Sequence, residues 1–113
     1  MRHKQHNMQL QNIFIHHVFF WLNHPDNKED VDALTDGLKK LSKAKTIRQF
    51  HIGIPASTDR AVIENTYSVS WFLLFDNKED QDSYQVDQIH LNFVKECSYL
   101  WSKVVVYDTI DYQ

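Results

Sequence analysis

Three side chains in two short stretches combine types that hold or move protons near neutral pH. His17 lies in IHHVFF, and Tyr84 and His90 lie in SYQVDQIHLNF. An imidazole takes or releases a proton close to pH 7, and a phenol holds a carbonyl or enolate oxygen through its O–H. Brought together, the three could do general acid–base work on a carbonyl compound. The same residues also admit structural readings: a core histidine bonded to a backbone carbonyl for His17, an aromatic with its hydroxyl in water for Tyr84, and a first-turn residue for His90. Sequence leaves both sets open.

Other chemistries have less to stand on. The chain has 7 histidines, but His16 and His17 are neighbours that a strand points to opposite faces, and no HxxxH or Cys/His ligand spacing occurs, so no metal site is expected. Cys97 is the one cysteine, which excludes an internal disulfide and leaves a nucleophile with no histidine spaced to activate it. Gly37 and Gly53 are the only glycines, too few for a phosphate-cradling loop, so no nucleotide or flavin cofactor is expected.

The scaffold that must position these groups is small. A chain of 113 residues, 42% hydrophobic and 13% aromatic, is one globular domain, too apolar for disorder and too short for two cores. A net charge of −3 with scattered Lys and Arg gives no nucleic-acid footprint. MRHKQHNMQLQ followed by IFIHHVFFWL superficially copies a signal peptide, but two histidines interrupt the run and no small-x-small site follows. Residues 1–11 therefore read as a flexible leader and 12–113 as the domain. With no apolar stretch long enough to span a bilayer, a cytoplasmic protein without membrane contact is expected.

Ile13 to Leu22 is apolar on both alternating faces and reads as a strand. From Asn27 to about Ala44 the period becomes helical, with Val31, Leu34, Leu38 and Leu41 on one stripe. Strands follow at Thr46 to Pro55 and Thr66 to Phe75. A helical region from Asn77 to about Leu100 breaks near Val86 and Asp87, where Asp87 caps a second helix carrying Leu91, Val94, Tyr99 and Leu100; Lys103 to Ile110 is the last strand. The pentapeptide DNKED occurs at Asp26 to Asp30 and again at Asp76 to Asp80, each time between a strand and a helix. There Asp or Asn caps free N–H groups and the acids favour the positive end of the helix dipole.

The order β-α-β-β-α-β predicts an α+β, ferredoxin-like antiparallel sheet with its helices on one face. The other face is apolar too, and large bare apolar faces are rare in soluble monomers, so that face is expected to pack against a second copy in a two-fold homodimer.

IHHVFFWL as first strand, FHIGIP closing the second, YSVSWFLLFD leading into DNKEDQDSYQ, the Tyr-x5-His of YQVDQIH and a final VVVYD together resemble the stress-responsive A/B barrel (Dabb) family. The resemblance implies a ferredoxin-like protomer pairing sheet to sheet into a dimeric α/β barrel. A plant polyketide cyclase of that family implies roles here: His90 as base, Tyr84 binding or polarising the substrate, His17 supporting orientation. This chain departs from the family in carrying Asp87-Gln88 where His-Pro is common and Trp21 where a smaller aromatic is usual.

Three functions follow. One is binding of a small hydrophobic molecule between sheet and helices, in a pocket walled by Trp21, Leu34, Leu38, Trp71, Phe93 and Trp101. The second is cofactor-free cyclase or isomerase chemistry with His90 as general base. The third is a purely structural stress protein whose asset is a stable dimer.

Overall fold

The computed structural model describes residues 6–113. Its elements are β1 (Phe14–Leu22), α1 (Lys28–Leu41), β2 (Gln49–Gly53), β3 (Val69–Phe75), α2 (Lys78–Val86), α3 (Gln88–Cys97), a 3₁₀ turn (Ser98–Leu100) and β4 (Trp101–Ile110). The strands form one antiparallel sheet in the order β2-β3-β1-β4, the ferredoxin-like arrangement. Residues 1–5 of the expected leader lie outside the described residues, and 6–11 are exposed without helix or strand. No helix among the described residues is long and apolar enough to cross a membrane.

Both DNKED copies act as helix starts, and asparagine is the capping residue in each. The Asn27 carboxamide oxygen accepts the Asp30 N–H at 3.2 Å, and that of Asn77 accepts the Asp80 N–H at 2.8 Å. Each copy also places a lysine one turn before an aspartate: Lys28 pairs with Asp32 at 2.9 Å and Lys78 with Asp82 at 2.7 Å.

Two strands are shorter than their sequences suggest, because local side chains divert the backbone. The Thr46 hydroxyl donates to the Asp80 carbonyl at 2.9 Å, tying the start of that segment to α2 instead of the sheet. Thr66 is held by Glu64 and accepts the Trp21 indole N–H at 2.9 Å, so β3 begins only at Val69.

Strand parity sorts β1. Phe14, His16, Val18, Phe20 and Leu22 are buried under the helices, whereas Ile15, His17, Phe19 and Trp21 are half-buried on the open face. Leu34, Leu38 and Leu41 of α1 pack against Val69, Trp71, Leu73 and Phe75 of β3 to form the core. Burying each such side chain stabilises by roughly 1.5–3 kcal/mol. Helices α1 and α3 approach closely at Gly37, where an added Cβ would stand 2.5 Å from the Cys97 thiol. The last helix buries Phe93 and Cys97, and of the residues expected on one helix after Asp87, Leu91 and Val94 lie exposed on α3 while Tyr99 and Leu100 fall on the 3₁₀ turn, Tyr99 exposed and Leu100 buried.

Candidate functional site

The break between α2 and α3 makes the site. On one continuous helix, Tyr84 and His90 would face directions about 120° apart. Asp87 instead adopts an extended conformation, closes α2 through its N–H to the Tyr84 carbonyl, and caps α3 by accepting the Ile89 N–H at 3.0 Å. The reorientation sets the Tyr84 and His90 rings side by side, with centroids 4.8 Å apart.

Tyr84 is buried at the end of α2, where its hydroxyl accepts the Trp71 indole N–H at 3.1 Å. Its own proton remains free to donate. Burial pushes the phenol well above its ordinary pKa, an effect only partly offset by the Trp71 bond, so it stays a donor across the neutral range. His90 Nδ1 lies 3.1 Å from the Gln85 carbonyl. A carbonyl only accepts, so Nδ1 carries the proton and Nε2 is left as a lone pair in the neutral ring. Burial lowers the His90 pKa, with His16 adding to the effect and the Gln85 bond opposing it. The neutral, basic form is favoured.

The strand histidine that joins this pair is His16. Its ring lies 6.0 Å from Tyr84, and its Nδ1 is 2.6 Å from the carboxylate of Asp108, its direct cross-strand partner on β4. His17, assigned this role by resemblance, points to the other face of the sheet, where its ring packs on Phe19 and Phe72 at 4.3 and 5.1 Å. The helices cover the face of β1 that carries His16, and alternation along the strand turns His17 to the other.

These groups line a cavity of about 420 Å³ between the sheet and α2–α3. At one end stand His16, Asp108, Tyr84 and His90, with the linked amides of Gln81 and Gln85. At the other, Phe20, Phe93 and Trp101 pack ring on ring, and half-exposed Val94, Val104 and Val106 form the rim. Of the expected pocket walls, Trp71, Phe93 and Trp101 line this cavity. Leu34 and Leu38 do not; they are completely buried in the solid core under α1. Trp21 lies on the opposite face of the sheet, in a separate groove with Phe19, Tyr67 and Tyr107, where the Lys103 ammonium sits 4.6 Å from its ring.

Sequence reasoning missed His16, Asp108, Gln81 and Gln85. Asp108 carried a signal only in being the one acidic residue of the last strand, in VVVYDTI. Among the described residues no cluster of His, Cys, Asp and Glu could hold a metal ion.

The family model of the stress responsive A/B barrel domain, Dabb, matches residues 14–111. The chain belongs to the Dabb family. Solved structures similar to this Dabb chain include a Dabb family protein with a ferredoxin-like fold from Mesorhizobium loti, at a TM-score of 0.75 and 19% identity, covering 91% of this chain and 100% of that one. A dimeric ferredoxin-like protein of unknown function from Thermobifida fusca matches at a TM-score of 0.69 and 17% identity, covering 95% and 99%. The hydroxynitrile lyase of Passiflora edulis matches at 0.73 and 21%, covering 92% and 97%. At these identities the likeness establishes a shared Dabb-type fold. No curated protein matches the chain in sequence.

Proposed function

We propose that this Dabb protein binds a small, largely apolar molecule between sheet and helices and does so as a two-fold homodimer. The supporting observation is one cavity of about 420 Å³ whose aromatic walls end at the polar groups of His16, Asp108, Tyr84 and His90. Apolar enclosure with a few convergent polar atoms is the usual make-up of a small-molecule site. For the dimer, the support is the open sheet face. Ile15, His17, Phe19, Phe72 and Val105 are only half-buried there and Tyr107 is exposed, an apolar surface that a second copy would cover. The Thermobifida fusca relative, itself dimeric, agrees with that reading.

A second reading, proton transfer without a cofactor, is favoured by the Tyr84–His90 pair. His90 Nε2 would take a proton from carbon or oxygen, the Tyr84 O–H would hold the oxygen on which charge develops, and His16, held by Asp108, would orient or return the proton. The Passiflora edulis relative is a lyase on this fold, which supports the fold's capacity for chemistry and not its substrate here.

Native mass spectrometry of freshly purified protein tests the binding reading. A dimer retaining one added small mass per chain is expected. A monomer would overturn the dimer, and a dimer that takes up no small aromatic molecule at millimolar concentration would leave a purely structural role.

A further inference from the structure

The charge and hydrogen-bonding character of the cavity narrows what it accepts. Among the described residues that line it none is lysine or arginine, and the one formally charged side chain is the carboxylate of Asp108. His16 does not change this balance. With its Nδ1 bonded to the Asp108 carboxylate at 2.6 Å, any positive charge on the His16 ring is already matched by that carboxylate and is not a free countercharge for a ligand. An anionic head group would lose its hydration and meet no countercharge.

The lone pairs point the same way. The Nδ1–H of His90 is held by the Gln85 carbonyl, which leaves Nε2 as an acceptor on a ring lining the cavity. Asp108 has a second carboxylate oxygen beyond the one bonded to His16. The Gln81 and Gln85 amides give and take hydrogen bonds alike and discriminate little. The Tyr84 hydroxyl already accepts from Trp71 and offers its proton. A ligand that both gives and accepts one hydrogen bond at a single oxygen therefore satisfies His90 and Tyr84 together.

Resting on the binding reading above, we infer that the occupant is an uncharged hydroxy compound, a phenol, alcohol or enol on a flat apolar body, and that carboxylates and phosphates of the same shape are excluded. The hydroxyl sits between Tyr84 and His90, and the apolar body extends toward Phe20, Phe93 and Trp101.

An NMR titration of the intact wild-type protein with 2-naphthol, 2-methoxynaphthalene and 2-naphthoate, following the indole N–H signals of Trp71 and Trp101, tests this. Naphthol is expected to bind most tightly and the methyl ether about tenfold more weakly, since it cannot donate to His90. Naphthoate is expected to bind more weakly than naphthol and to regain affinity in Asp108→Asn. Equal binding of naphthol and its ether would overturn the donor requirement, and naphthoate binding as tightly as naphthol would overturn the charge rule. Naphthoate gaining nothing in Asp108→Asn would overturn Asp108 as its basis. Absence of shifts with all three compounds would instead overturn the binding reading itself.

Discussion

Trp71 donates its indole N–H to the Tyr84 hydroxyl at 3.1 Å, joining the middle of β3 to the last turn of α2 inside the core. Both side chains are almost wholly buried. Tyr84→Phe leaves a buried N–H without a partner and is expected to cost about 1–3 kcal/mol. Trp71→Phe removes the donor along with packing, so adding Tyr84→Phe to it should cost less than in the wild-type background. A double-mutant cycle by urea denaturation checks this. Strict additivity would mean the bond contributes nothing.

The repeated DNKED predicts a pairwise pattern. Asn27→Ala and Asn77→Ala each remove an N-cap and should destabilise by about 1 kcal/mol. Asp26→Ala and Asp76→Ala, on exposed residues of the same copies, should stay within about 0.5 kcal/mol, although Asp76 faces Arg48 at 3.4 Å, because exposed ion pairs contribute little. Melting curves of the four variants separate capping from a role for the acidic charge.

Leu34→Ala and Leu38→Ala should each cost about 2–5 kcal/mol, because both residues are completely buried in the packed core under α1. Neither should alter ligand binding, since neither lines the cavity. Trp101→Ala should reverse the pattern, with ligand affinity the property chiefly lost. Chemical denaturation paired with ligand titration reads both quantities.

Acid should weaken the fold in a defined window. His17 and His90 both have pKa values lowered from 6.5, chiefly by burial, with neighbouring histidines contributing in each case. Below pH 6.5 the unfolded chain therefore takes up protons that the folded chain resists. The stability contributed by the neutral rings is present above 6.5 and is lost as the pH falls through that value and past the folded-state pKa values. Urea midpoints should drop between pH 7.5 and pH 5.5, and His17→Gln with His90→Gln should flatten the dependence. An unchanged wild-type midpoint would contradict the shifts.

Most of the fold was legible because its signals are local. The both-sided apolar strands, the helical stripe Val31-Leu34-Leu38-Leu41 and the Asp87 break each depend on residues adjacent in the chain. The site was legible only in part, for two reasons. Choosing His16 over His17 depends on which face of β1 meets the helices, and both faces of that strand are apolar, so the alternation itself does not show which is inside. Finding Asp108 as the partner of His16 requires the β1–β4 register, which relates residues at opposite ends of the chain. Leu34 and Leu38 fall on a correct apolar stripe, but core and cavity wall have the same composition, and only packing separates them.

The pair Tyr84–His90 is central, and the imidazole nitrogens report on it most directly. Long-range ¹H–¹⁵N NMR across a pH titration reads tautomer and protonation of each ring. His90 is predicted to carry its proton on Nδ1, held by the Gln85 carbonyl, and to titrate below 6.5. A His90 protonated on Nε2 and titrating at 6.5 or above would contradict the account.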